Sequence, residues 1–225
     1  MKTMNRIMLT ALTLALSMTT GAAQTPQPDN LRVNHLANPL GVDDVAPRLE
    51  WCAEGMEQSA YEITVGTDSA AVAAGKGSAW QSGRVASGQR MTVYGGEKLR
   101  PTTVYFWRVS VTDGKGKTAN SDVARFETGL MGRWHGAWIS DGHDKNHRAA
   151  PYFRKTFDAT KSIKSARAYI SAGGLFVLSV NGQRVGDHFL DPVYTRYDRR
   201  CSYVTFDITP LLHSGRNALG VVLGN

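Results

Sequence analysis

The stretch Leu99-Arg100-Pro101-Thr102-Thr103-Val104-Tyr105-Phe106-Trp107-Arg108-Val109-Ser110-Val111 decides how the chain reads. From Val104 onward it alternates, placing Tyr105, Trp107, Val109 and Val111 on one face, the period of a half-buried strand. Pro101 ahead of it fixes φ for a turn, and Tyr105 is placed so that its ring enters the core while its hydroxyl bonds back to the corner backbone. Thr112-Asp113-Gly114-Lys115-Gly116 then ends the run as a turn.

Working outward, the same alternation recurs in Tyr61-Glu62-Ile63-Thr64-Val65. Further runs rich in β-formers lie at Ala166 to Ile170, Leu175 to Val180, Tyr203 to Phe206 and Ala218 to Leu223. Val180 leads into Asn181-Gly182, a strong hairpin dipeptide. No long amphipathic helix is predicted, and Ser69 to Ala74 is read as a single short turn. Frequent short strands punctuated by turns indicate an all-β sandwich architecture. The Pro101/Tyr105 corner resembles that of fibronectin type III domains, and Ala46-Pro47-Arg48-Leu49-Glu50-Trp51 resembles their early strand with a buried Trp. Two units are expected, at residues 31–129 and 134–225.

The 225 residues comprise 42% hydrophobic and 20% charged side chains, which excludes wholesale disorder. Lys2 and Arg6, an uncharged run from Ile7 to Met18 and Gly21-Ala22-Ala23 read as an export signal at residues 1–23. The run is too short to span a bilayer, so no membrane span is expected. The expected location is periplasmic or extracellular. Cleavage removes two bases and no acid, so the formal +7 falls to +5. That excess lies in the second unit, scattered over positions such as Arg133, Lys155, Lys164, Arg184 and Arg216, which does not describe a nucleic-acid face. Cys52 and Cys201 fall in different units and read as unpaired apolar thiols rather than a bridge. Asp141, His143, Asp144 and His147 lie in a polar, glycine-containing stretch and read as a solvated loop rather than a metal cluster.

A set of ordered segments then resembles the front end of bacterial α-L-rhamnosidases of glycoside hydrolase family 78. It includes Asn38-Pro39-Leu40-Gly41-Val42-Asp43, Trp80-Gln81-Ser82-Gly83-Arg84-Val85, Phe126-Glu127-Thr128-Gly129-Leu130, Trp138-Ile139, Pro151-Tyr152-Phe153-Arg154-Lys155, Val180-Asn181-Gly182 and Gly215-Arg216-Asn217-Ala218-Leu219. The resemblance implies a fibronectin type III-like sandwich followed by a jelly-roll (galactose-binding-like) sandwich, incomplete at its C-terminus, with a catalytic (α/α)6 barrel downstream in the family. It implies an accessory part of an inverting rhamnosidase, supporting or targeting that barrel and without turnover of its own. No family catalytic residue has a position here onto which to be carried. The alternative is a stand-alone secreted carbohydrate-binding module; a third reading is a hydrolase using Asp187, Asp191 or Asp198.

Rhamnose-containing glycans are the expected partners. The candidate binding stretch is residues 187–200, where Asp187, Asp191, Tyr194, Tyr197, Asp198 and Arg199 supply the aromatic faces and planar polar groups that sugars take. No cofactor is assigned; if a cation takes part, calcium at Asp187 and Asp191 is the expectation, since hard cations take oxygen ligands. The competing reading is a long connection whose two tyrosines pack on the sandwich. With about six strands where a jelly roll takes eight, the second unit is expected to be the less stable one, through open edges.

Overall fold

The computed structural model describes residues 26–143, 146 and 149–224. The export segment at 1–23, and Asp144 and His147 of the polar stretch, lie outside the described residues.

The first unit contains β1 (Asp29–Val33), β2 (Arg48–Cys52), β3 (Gln58–Gly66), α1 (Ser69–Ala73), β4 (Trp80–Gln81), β5 (Met91–Val93), β6 (Val104–Asp113), β7 (Thr118–Asn120) and β8 (Ala124–Glu127). One antiparallel sheet has the order β1-β2-β5; the other runs β4-β3-β6-β7, with β8 pairing β6 beside Val104 to Trp107. The alternation read in β6 is realised side chain by side chain: Tyr105, Trp107, Val109 and Val111 are all buried, and the intervening residues are half-buried. They pack between the sheets with Leu49, Trp51, Ile63, Val65 and Phe126. Tyr105 closes the corner, its hydroxyl accepting from the Arg100 N–H at 2.9 Å while its ring stacks on Phe126 at 5.3 Å. Trp51 lies against Tyr61 at 5.0 Å and donates its indole N–H to Gln58. The one short helix is capped by Asp68, whose carboxylate accepts from the Ala71 N–H at 2.7 Å.

The second unit contains β9 (Tyr152–Ala159), β10 (Arg167–Ser171), β11 (Leu175–Val180), β12 (Gln183–Arg184), β13 (Tyr203–Asp207), a 3₁₀ turn (Thr209–Leu211) and β14 (Gly215–Gly224). A four-stranded antiparallel sheet, β12-β11-β14-β9, faces a two-stranded one, β10-β13. Between them lie Phe176, Leu178, Val180, Phe206 and Ile208, with Phe176 meeting Phe206 edge-on at 6.3 Å. Asn181 and Gly182 take φ of 50° and 82°, as a type I′ hairpin requires, and join β11 to β12. β9 carries Arg154, Lys155 and Asp158 among its aromatics, which blurs its period; its pairing with β14 over eight registered positions defines it as a strand. Cys52 and Cys201 are free thiols in different units, as read from the sequence.

The two units meet at a joint centred on β13. Tyr203 donates its hydroxyl to Asp43 at 2.7 Å and accepts from the Leu130 N–H at 2.9 Å. Arg167 forks onto both oxygens of Glu127 at 2.9–3.1 Å and also reaches Asp207 at 2.8 Å. Glu127 and Arg167 are largely withdrawn from water, with side chains 7% and 13% exposed.

Candidate functional site

The candidate stretch 187–200 connects β12 to β13 and projects from the second unit. His188 anchors it: the ring stacks on Phe206 at 5.4 Å and its Nδ1 pairs with Asp191 at 2.5 Å. The Asp191 backbone carbonyl accepts from the Phe176 N–H at 2.8 Å, tying the loop to β11. Arg184 lies over the Phe189 ring at 3.9 Å and donates to the His188 carbonyl. Beyond Pro192 a turn is closed by Thr195 donating its hydroxyl to the Arg200 carbonyl and by two N–H groups converging on the Arg196 carbonyl.

Within that frame Tyr194 and Tyr197 meet edge to face at 5.5 Å and are 79% and 41% exposed. They pack on each other, with Tyr194 the more open of the two. Asp198 is held by Arg196 at 2.6 Å, with Arg199 at 3.9 Å. The structure thus groups Tyr194, Tyr197, Asp198 and Arg199 on one turn and holds Asp191 on the loop's anchored limb; Asp187 is exposed between β12 and His188. Calcium needs six to eight oxygens. Among the described residues no three of His, Cys, Asp and Glu converge on a common point, and Asp191 already faces His188.

A second concave region lies at the joint, which the reading of motifs did not single out. Trp134, on the connection between the units, meets Tyr203 at 5.9 Å, and Tyr169 meets Tyr203 at 6.1 Å. A cleft of about 300 Å3 opens there between Asp43, Leu130, Trp134, Trp138, Ser171 and Tyr203. An adjoining one of about 230 Å3 runs between Trp138, Ile139, Phe153, Tyr169, Val221 and Leu223. The closeness of two Trp in the connection was the available signal; their shared cleft depends on β10 and β14 being brought beside them. Burial raises the pKa of Tyr203, and its bond to anionic Asp43 raises it further against the opposing bond from Leu130. Burial opposes ionisation of Asp207, but bonds from Thr209 and the Arg167 charge outweigh it and leave its pKa below the usual carboxylate range.

Two antiparallel sandwiches joined through a buried Arg–Glu pair, with aromatic surfaces beside the joint, define a two-domain β unit. Comparison with known proteins assigns its kind. Residues 28–132 match the family of the Rha78A-like, N-terminal immunoglobulin domain, and residues 161–225 match the alpha-L-rhamnosidase N-terminal domain. An alpha-L-rhamnosidase of Formosa agariphila is 33% identical over 88% of this chain and 24% of its own length. The structure of alpha-L-rhamnosidase from Dictyoglumus thermophilum superposes with a TM-score of 0.82 at 37% identity, over 88% of this chain and 25% of that one. That from Aspergillus terreus gives 0.75 at 31%, over 89% and 24%. The chain belongs to the N-terminal region of the alpha-L-rhamnosidases and spans about a quarter of the length of the relatives it matches.

Proposed function

We propose that this domain pair is the accessory, non-catalytic front part of an α-L-rhamnosidase, supporting or targeting the catalytic (α/α)6 domain that hydrolyses terminal α-L-rhamnosyl bonds. We further propose that it works after export, in the periplasm or outside the cell, on rhamnose-containing glycans. One observation carries the first reading: two N-terminal family domains follow one another in order, and the matched residues cover about a quarter of the relatives' length. The carboxylates lend support. Inverting hydrolysis takes two carboxyl groups about 6.5–9.5 Å apart, one held protonated. Here Glu127 is locked to Arg167, Asp43 to Tyr203, Asp191 to His188 and Asp198 to Arg196. Asp207 is shifted toward the ionised form, opposite to a general acid.

The purified protein is expected to release no rhamnose from an aryl α-L-rhamnoside; turnover abolished by Asp191→Asn or Asp198→Asn would overturn the reading. Export predicts a secreted form beginning at Gln24, read by mass spectrometry.

The exposed Tyr194/Tyr197 pair beside Asp198 and Arg199 favours a second reading, a carbohydrate-binding turn, because a sugar's C–H face lies well on aromatic rings flanked by planar polar groups. Titration with L-rhamnose tests it: saturable binding lost in Tyr194→Ala is expected, and a flat titration rejects it.

A further inference from the structure

We propose that the turn from Tyr194 to Arg200 recognises anionic sugars, those bearing a carboxylate or a sulfate ester, with Tyr194 and Tyr197 as the stacking surface and Arg199 and Arg200 as the anion-binding forks. The proposal rests on the carbohydrate-binding reading of this turn and adds the charge of its ligand.

The turn is basic, and its one acid is already neutralised. Residues 194–200 hold three arginines and a single aspartate. Arg196 donates through Nε to one Asp198 oxygen at 3.1 Å and through Nη2 to the other at 2.6 Å, a two-pronged pair that closes within the turn. Arg199 Nε stands 3.9 Å from Asp198, beyond hydrogen-bonding distance, and its side chain is 76% exposed. The Arg200 side chain makes no ion pair or hydrogen bond with any described residue. The loop's other acids lie elsewhere: Asp191 faces His188, and Asp187 sits on the opposite limb beside β12. From 130 to 225 the chain has 13 basic residues against 7 acidic ones, so no surplus acid is at hand. Two guanidinium forks are left without a counter-charge.

These forks are held next to the rings. The Arg199 and Arg200 N–H groups both donate to the Arg196 carbonyl at 2.8 Å, which makes a single helical turn, and Thr195 ties down the Arg200 carbonyl. Residues three apart in such a turn share a side, which sets Arg200 with Tyr197. Tyr197 in turn meets Tyr194 edge to face, leaving the Tyr194 ring open to solvent.

The ligand's chemistry follows from this pairing of groups. A pyranose has a C–H face that lies on an aromatic ring, and a guanidinium offers two parallel N–H donors that match two oxygens of a carboxylate or sulfate. A neutral sugar would use the rings and leave both cations idle. A bare anion would use the cations and leave the rings idle. A sugar carrying an anionic substituent uses both. A single short turn has room for one such ring, and the remaining basic residues of the unit are scattered rather than set in a stripe, which favours a sugar over a nucleic-acid strand.

The test titrates the 225-residue protein by calorimetry with L-rhamnose, methyl β-D-glucoside, methyl β-D-glucuronide and methyl β-D-glucoside 6-sulfate; the last three differ only at C6. The expected result is that one or both anionic glycosides bind about tenfold or more tighter than the neutral glucoside, since charge-assisted hydrogen bonds are about twice as strong as neutral ones. A response to only one of the two supports the proposal and names the group taken. The advantage should shrink at high salt, vanish in Arg199→Gln/Arg200→Gln, and leave the weaker neutral binding in place, whereas Tyr194→Ala weakens every sugar. All three substituted side chains are exposed, so folding is retained and checked by circular dichroism. Equal affinity for neutral and anionic sugars, lost in Tyr194→Ala, overturns the anionic preference and leaves the carbohydrate-binding reading standing. Binding of no sugar overturns both. An anionic advantage that survives the double substitution overturns the residues assigned. Inorganic sulfate bound as tightly as the sulfated glucoside, with Tyr194→Ala without effect, marks an adventitious ion only and overturns the sugar. Tighter binding of an oligothymidylate than of either anionic glycoside overturns it in favour of nucleic acid.

Discussion

Gly129 is where the two units come closest. A Cβ there would lie 2.1 Å from the Tyr203 hydroxyl, 2.5 Å from an Asp43 oxygen and 3.0 Å from the Gly41 carbonyl, so the residue is glycine for want of space. Gly129→Ala is expected to cost about 1–3 kcal/mol, the usual range for overpacking, and to lower the melting temperature measurably by calorimetry. Beside it, Glu127→Gln strips Arg167 of its bidentate partner. Breaking a buried pair costs about 3–5 kcal/mol; Asp207 remains to hold Arg167, so the lower end is expected by urea titration. The tyrosines set an alkaline limit. Burial, then the neighbouring Tyr105 and Glu97, push Tyr94 from 10.0 to about 12, and Tyr203 is raised as well. A raised acid favours the folded state while protonated, so this stability is complete below pH 10 and is lost as pH climbs toward the folded values. Melting temperature should fall between pH 10 and 12, less steeply in Tyr203→Phe; a flat profile there would contradict the linkage.

At the scale of elements, local chemistry and long-range need coincide at the β11–β12 hairpin. Asn181 takes the positive φ that the turn demands, and its side chain also donates to the Leu211 carbonyl and Asn217 and accepts from the Ala218 N–H. Asn181→Ala keeps the chain direction but orphans those partners and strains the turn, so a loss of about 1–3 kcal/mol is expected, located in the second unit by hydrogen exchange. β6 is the counterpart in the first unit. Its alternation and the Tyr105 corner were legible because both depend on spacing within a dozen residues. β9 was not legible as a strand, because charges interrupt its period and its eight pairings come from β14, some sixty residues on. The candidate turn at 187–200 was legible as composition only. That Tyr194 turns to Tyr197, and that His188 takes Asp191, follows from how Phe206 and Phe176 hold the loop.

For the whole molecule the joint sets an order of dependence. The first unit has both sheets and its own buried core, whereas β10 and β13 form a two-stranded layer braced from outside by Asp43, Glu127 and Leu130. Residues 26–132 expressed alone should therefore melt cooperatively by circular dichroism, while 134–225 alone should not; equal cooperativity in both would remove the brace from the account. Among the described residues β10 pairs only with β13, and the first unit's contribution to holding that layer is what the structure adds. By itself the sequence determined the all-β class, the corner, the hairpin and the order of the two units, because period, turn chemistry and spacing act between near neighbours. Tertiary structure decided the rest. Tyr203 finds Leu130 across 73 residues and Asp43 across 160. No local preference encodes such a meeting, which exists only once the two units fit around a missing Cβ.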